Sequence, residues 1–191
     1  MHDRAEKHHH PAKPLTNTYW VVPGRFLAGE YPGDLSAAAS RQKIESLIEA
    51  GIDVFIDLTE DREAGGYLAH LRGKSTSGGR PVAHRRLAIP DFGIPTVANM
   101  RDILDTIDRA LDAGHRVYLH CWGGVGRTGT VVGCWLVRHG HAGVQALAEV
   151  DRLFRTMPKS DYHRNSPESE EQEEFVLSWA EHDAGRPARG E

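Results

Sequence analysis

Long apolar runs, an excess of one charge and a set of paired cysteines are all missing from this chain of 191 residues. No run approaches the roughly 18 apolar residues of a membrane span, so none is predicted. The formal net charge is only -4, which excludes the positive field that recruits nucleic acid or anionic lipid. Cys121 and Cys134 lie in one predicted loop-helix unit, too far apart for a disulfide. We interpret Cys134 as a small core residue.

The length of the chain suits one domain with a full core better than two. Residues 1–17 are polar and interrupted by prolines, and we expect them to form a flexible leader. Residues 18–182 are predicted to form a single domain, and residues 183–191 a flexible tail. The leader lacks the apolar core of a signal peptide, so we expect a cytoplasmic protein, and we expect a monomer.

Strand and helix patterns alternate through the predicted domain. This order predicts an α/β fold with a central, mainly parallel sheet and helices on both faces. Ligands of such sheets bind beyond the carboxyl ends of the strands, which puts Asp57, Asp91 and Cys121 on one rim. The predicted elements are strands at 20–22 and 25–28, a helix at 35–50, strands at 52–58 and 83–89, a helix at 96–113, a strand at 116–119, and helices at 130–139, 143–157 and 167–182, the last capped by Ser166.

The most informative stretch runs from His120 to Thr128 and reads His-Cys-Trp-Gly-Gly-Val-Gly-Arg-Thr. It joins a buried strand to a helix, and a glycine-rich loop of this kind turns backbone N–H groups toward an anion. A thiol is mostly protonated at neutral pH, but such N–H groups, a helix N-terminus and Arg127 all favour the thiolate. The residues therefore predict an anion site with a nucleophilic Cys121 at its floor.

The residues around the thiol have predicted roles of their own. Arg127 can bind two phosphate oxygens at once. Thr128 can give its hydroxyl to the sulfur, and His120 is expected to orient the loop through backbone carbonyls rather than act as a base. Expulsion of an alcohol or phenol needs a proton. The candidate acid is Asp91, thirty residues before the cysteine in the loop Pro90–Pro95, where a plain turn residue is the other interpretation.

The pattern His120-Cys121-(five residues)-Arg127-Thr128 resembles the signature of the cysteine-dependent protein tyrosine phosphatase superfamily. Ile89–Pro95 similarly resembles its mobile acid loop, and the chain length and motif spacing look most like the compact dual-specificity branch. The resemblance implies that Cys121 is the nucleophile, Arg127 the phosphate clamp, and Asp91 the general acid and then the base. Thr128 would help to break the thiophosphate. The implied backbone binders of phosphate are Trp122, Gly123, Gly124, Val125 and Gly126.

Three further residues are weaker candidates. Gln172 resembles the glutamine that positions the attacking water in the superfamily, although an exposed polar helix face would leave it in solvent. Either Glu60 or Asp57, near the end of a predicted strand, would hold Arg127 by a salt bridge.

The predicted activity is hydrolysis of a phosphate monoester through a phosphocysteine, without cofactor or metal. We expect phosphotyrosine on a protein as substrate, with dual specificity open, and no nucleic-acid or membrane partner. A small phosphorylated metabolite or lipid is the alternative, but the uncharged residues 122–126 argue against a polyphosphorylated inositol.

Other classes fit the residues less well. A non-hydrolysing phosphate-binding module needs neither a thiol nor an acid, and a rhodanese-like sulfurtransferase needs no Asp91. A metal enzyme is disfavoured because His8, His9 and His10 are adjacent and no paired ligand spacing occurs elsewhere.

Overall fold

Alternating apolar side chains build a sheet that is covered on both faces. In β5 (Val117–His120), Val117 and Leu119 pack into one core, whereas Tyr118 packs into another on the opposite face. The computed structural model describes residues 11–63 and 66–184. Within them, β5 joins four further strands in one sheet: β1 (Thr18–Val22), β2 (Phe26–Gly29), β3 (Val54–Asp57) and β4 (Ala83–Arg86).

The strands lie in the order β1-β2-β5-β3-β4. β1 pairs with β2 antiparallel, and every other neighbouring pair is parallel. At the carboxyl ends, Gly29 and Asp57 both lie opposite His120, and Arg86 lies opposite Asp57. The loops that follow these strands therefore meet at one edge. The predicted α/β fold with a mainly parallel sheet is confirmed.

Helices cover each face of the sheet. On one face, α1 (Ala37–Glu49) and α2 (Leu68–Leu71) bury residues such as Ile44 and Leu47 against Phe55 and Tyr118. The opposite face carries a larger core, in which Trp179 is fully buried. Its helices are α3 (Val97–Asp112), α4 (Gly126–Arg138), α5 (Gly143–Phe154), α6 (Glu170–Leu177) and α7 (Trp179–Asp183).

The helix after the glycine-rich loop begins earlier than predicted. We expected it to start at Thr130, whereas α4 starts at Gly126. The N–H of Gly129 already donates to the carbonyl of Val125 over 2.9 Å, which is a helical bond. Arg127 therefore lies in the first turn of α4, where the free N–H groups of a helix point toward the loop.

The last helix, predicted as one element at 167–182, starts later than predicted and is divided in two. Ser166 precedes a cis peptide bond to Pro167, and its hydroxyl donates to the carbonyl of Val125 over 2.8 Å instead of capping a helix. The cap is Ser169, which accepts from the N–H of Gln172. The helical segment is then divided at Ser178 into α6 and α7.

The packed part of the chain begins before residue 18, where we had placed the end of the leader. Lys13 donates to the carbonyl of Thr156 over 2.6 Å, and the hydroxyl of Thr18 donates to the carbonyl of Leu15. Residues 1–10, including the three adjacent histidines, and residues 185–191 lie outside the described residues. In the described ranges, no helix has the length and apolar character needed to cross a bilayer.

Candidate active site

The Cys121–Arg127 loop closes around the sulfur of its own cysteine. The N–H of Gly124 donates to Cys121 Sγ over 3.2 Å, and the N–H of Cys121 donates to Thr128 Oγ1 over 3.0 Å. Cys121 is 2% exposed. The backbone of Gly124 has φ +71°, and a Cβ there would lie 2.5 Å from the carbonyl carbon of Gly29. Only glycine can therefore occupy that turn without displacing the end of β2.

Two carboxylates hold the guanidinium of Arg127. Glu63 accepts from both terminal nitrogens, over 2.7 and 2.8 Å, and Asp91 Oδ1 lies 2.9 Å from Nη2. A further bond of 3.2 Å runs to the carbonyl of Ile89, and the Arg127 side chain is 3% exposed. The hydrogen bond from Arg127 lowers the pKa of Glu63. Arg127 is thus kept charged and fixed beside the loop.

The expected partners of Arg127, Glu60 and Asp57, have other contacts. Glu60 pairs with Arg62 at 3.0 Å and accepts from the N–H of Asp91 over 3.4 Å. The partner that the sequence did not reveal, Glu63, lies in the short 3-10 turn Asp61–Glu63 after β3. Residues 57–63 include four acidic side chains, and their spacing in the sequence does not show which of them contacts Arg127.

Asp57 instead organises a buried network at the end of β3. It accepts from the N–H and the hydroxyl of Thr59 over 2.9 and 2.6 Å, from His84 over 3.2 Å, and from Arg86 over 3.1 and 3.3 Å. Burial opposes its ionisation, but the hydrogen bonds from His84 and Thr59 hold the pKa of Asp57 well below its usual range. This anchors β3 to β4 beneath the loop.

His120 is a neutral, fully buried ring that links the loop to α2. Its Nδ1 lies 3.2 Å from the carbonyl of Cys121, and its Nε2 lies 2.8 Å from the hydroxyl of Tyr67. Burial lowers the pKa of His120 to about 4. Because a carbonyl can only accept, Nδ1 carries the hydrogen and Nε2 accepts from Tyr67. Sequence reasoning did not identify Tyr67, which lies 53 residues away.

The loop that carries Asp91 contacts α6 through a buried glutamine. Gln172 is fully buried, and its Nε2 donates to the carbonyl of Gly93 over 3.1 Å. The interpretation of Gln172 as a solvent-facing residue is therefore wrong, because the side chain packs under the loop instead. Asp91 itself is 43% exposed, and its neighbour Phe92 has φ +58° with a largely exposed ring. The carboxylate of Asp91 thus lies on the open side of Arg127.

Glu168 is a second carboxylate near the loop that sequence reasoning missed. A Cβ added to Gly126 would lie 1.9 Å from Glu168 Oε1, so the two residues are in direct contact. Burial raises the pKa of Glu168, and the charge of Asp91 raises it further. Two carboxylates therefore flank the start of α4: Asp91, which pairs with Arg127, and Glu168, which lies against Gly126.

Taken together, the contacts describe a concave anion site. The sulfur of Cys121, the N–H of Gly124 and the fixed guanidinium of Arg127 lie at one edge of the sheet, with the carboxylate of Asp91 on the open side. Such an arrangement can bind a tetrahedral oxyanion and present a nucleophile and an acid to it.

Comparisons with known proteins agree with this geometry. A family model described as polymorphic toxin system, DSP-PTPase phosphatase matches residues 30–141. The uncharacterized protein MJECL20 of Methanocaldococcus jannaschii is 41% identical over 91 residues, which are 48% of this chain and 55% of that protein. The dual specificity protein phosphatase CDC14B of Mus musculus is 36% identical over 56 residues, 29% of this chain and 11% of that protein. The chain thus spans about half the length, or less, of these curated relatives.

A solved structure extends the likeness to nearly the whole domain. Tk-PTP in its active form superimposes with a TM-score of 0.67 at 26% identity, and the match covers 86% of this chain and 97% of that one. The family model covers more than half of the chain and includes both Asp91 and the Cys121–Arg127 loop. The chain belongs to the family of DSP-PTPase phosphatases of polymorphic toxin systems.

Proposed function

We propose that this protein hydrolyses phosphate monoesters through a phosphocysteine and acts on phosphotyrosine in proteins, with dual specificity toward phosphoserine and phosphothreonine. The observation that carries the proposal is the contact of Cys121 Sγ with the N–H of Gly124, beside an Arg127 that two carboxylates hold in place. In this arrangement the thiol of Cys121 can act as a nucleophile, and the guanidinium of Arg127 can bind two phosphate oxygens.

In the first step, the thiolate of Cys121 attacks phosphorus and the bond to the ester oxygen breaks. Arg127 and the N–H groups of residues 122–126 bind the non-bridging oxygens, which carry the charge of the transition state. Burial acts to lower the pKa of Arg127, but its bonds to Glu63 and the charges of Cys121 and Asp91 raise it, so the clamp stays cationic. The leaving oxygen takes a proton from Asp91.

Asp91 has to exchange one contact for another in this scheme. Its carboxylate lies on Nη2 of Arg127, the same group that binds phosphate oxygens. A bound phosphate dianion takes over those donors, and the displaced carboxyl can then give its proton to the leaving oxygen. In the second step, water attacks phosphorus, Asp91 takes its proton, and the phosphorus–sulfur bond breaks to release phosphate and the thiolate. Thr128 donates its hydroxyl to the departing sulfur.

The supporting residues keep this geometry. His120 bonds the carbonyl of Cys121, and Gln172 bonds the carbonyl of Gly93 in the acid loop. We therefore assign both to positioning, with His120 acting on the thiol loop and Gln172 on the loop of Asp91.

The test is hydrolysis of p-nitrophenyl phosphate in the presence of a chelator. We expect turnover that vanadate blocks, that Cys121→Ser abolishes, and that Asp91→Asn lowers by about 10²–10³-fold. Cys134→Ser is the matched control, because that thiol is buried in the core of α4. Wild-type turnover in Cys121→Ser would refute the mechanism. Binding of phosphate without a burst of product would instead indicate a non-hydrolysing module.

A further inference from the structure

A groove begins at the Cys121–Arg127 loop and runs along the segment between β2 and α1. Its volume is about 470 Å³, and Trp122 and Gly123 of the loop form one end of it. Leu35 and the polar residues Asp34 and Lys43 lie along the rest. The groove is therefore continuous with the anion site, and a substrate bound there would extend into it.

Two exposed apolar side chains, Leu35 and Trp122, border the groove, and Trp122 is held in place by a neighbour. Leu35 is fully exposed, and Trp122 is 54% exposed although it belongs to the loop. Tyr31 stacks on Trp122 with ring centroids 4.9 Å apart, and the N–H of Tyr31 donates to the carbonyl of Trp122 over 3.0 Å. Large apolar side chains exposed beside a catalytic centre are typical of a recognition site.

The charges in the groove neutralise one another. Lys159 lies 2.5 Å from a carboxylate oxygen of Glu30 and donates to the carbonyl of Gly123 over 2.9 Å. Lys43 pairs with Asp34 at 3.2 Å. Each lysine thus has an acidic partner in the groove, and the two pairs leave little net positive charge there to attract a second phosphate. The lining suits an uncharged, apolar group.

We propose that this groove binds an apolar side chain that flanks the phosphorylated residue of a protein substrate. The inference rests on the proposed function and adds to it a preference for sequence around the phosphorylated residue. A side chain such as leucine would cover Leu35 and the exposed edge of Trp122, and Trp122 needs no rearrangement because Tyr31 already holds it. A polyphosphorylated head group would meet two lysines whose charges Asp34 and Glu30 already balance.

The experiment compares phosphotyrosine peptides that differ at one position. Each of the two positions on either side of phosphotyrosine carries leucine or serine in turn, and the remaining positions carry alanine. At one position we expect the leucine peptide to exceed the serine peptide about tenfold in kcat/KM, because burial of one aliphatic side chain accounts for a factor of that order. In Leu35→Ser this ratio should fall below about twofold.

Two controls separate the groove from the catalytic centre. The first is hydrolysis of p-nitrophenyl phosphate, a substrate too small to reach the groove. Its kcat/KM should change less than about twofold in Leu35→Ser. The second is Val144→Ser, which removes an exposed apolar side chain of α5 outside the groove and should retain the leucine preference. The unchanged small-substrate activity also shows that the variant is folded.

Several outcomes would overturn the proposal. They are the absence of a leucine preference at all four positions, a preference that survives in Leu35→Ser, and faster turnover of a phosphoinositide in vesicles than of every peptide. Failure of the proposed function has a different signature, since the wild-type protein would then leave p-nitrophenyl phosphate intact.

Discussion

Replacement of Glu63 by alanine tests whether this carboxylate holds the guanidinium of Arg127 in place. Arg127 donates to both oxygens of Glu63 over 2.7 and 2.8 Å, and its side chain is 3% exposed. Removal of one partner from a buried pair leaves the other charge desolvated, which costs about 3–5 kcal/mol. Asp91 still pairs with Arg127 at 2.9 Å, so we expect the lower end, about 3 kcal/mol.

This loss of stability translates into measurable changes. In a chain of this length, 1 kcal/mol shifts Tm by about 2–4 °C, so Glu63→Ala should lower Tm by roughly 6–12 °C. The guanidinium would also lose the orientation in which it binds phosphate oxygens. We therefore expect kcat/KM for p-nitrophenyl phosphate to fall at least tenfold, which corresponds to about 1.4 kcal/mol of transition-state stabilisation. Thermal unfolding followed by circular dichroism and initial rates at a temperature below both transitions give the two numbers.

Glu60→Ala is the matched control for this prediction. Glu60 lies three residues away on the same segment, but it contacts Arg62 and the backbone of Asp91 rather than Arg127. The Arg62 side chain is 78% exposed, and such surface pairs contribute at most about 1 kcal/mol. Equal effects of the two substitutions on Tm and on kcat/KM would refute the assignment of Glu63.

Two further predictions concern the loop and the histidine before it. Gly124→Ala should lower kcat/KM for p-nitrophenyl phosphate at least tenfold, because its Cβ would meet the backbone of Gly29 at 2.5 Å and the residue would keep φ +71°. Gly123→Ala, whose Cβ would meet only a side chain at 3.7 Å, should stay within about threefold, and equal losses would argue against the backbone clash. For His120, burial lowers the pKa to about 4, so between pH 6.5 and 4 the unfolded chain binds the proton and the folded chain does not. The contribution of His120 to the free energy of unfolding is therefore fully present above pH 6.5, and roughly 3 kcal/mol of it is lost as the pH falls to 4. Urea unfolding should give a higher free energy of unfolding at pH 7 than at pH 5, and His120→Asn should lack this part of the difference.

The fold could be predicted because its signals are local. Apolar runs at strand length, helical stripes and glycines at the helix ends lie within single segments, and α3 (Val97–Asp112) differs from the predicted helix at 96–113 by one residue at each end. The errors arose where a side chain or a backbone group has a distant partner. Ser166 stands where the sequence pattern predicts a helix cap. Its hydroxyl instead donates to the carbonyl of Val125, 41 residues earlier, so it connects the segment before α6 to the start of α4.

The same distinction explains which parts of the candidate site the sequence could predict. The thiol, the glycines and the arginine must be neighbours in one short loop, since their N–H groups and charge act on the same anion, and their spacing is therefore visible in the sequence. The partners of that loop come from separate segments, and each depends on how a connection turns. Glu60 and Glu63 are both acidic and both follow β3, but the 3-10 turn between them directs Glu63 to Arg127 and leaves Glu60 beside the acid loop. The choice between two equivalent side chains is made by packing, which no pattern in a single sequence records.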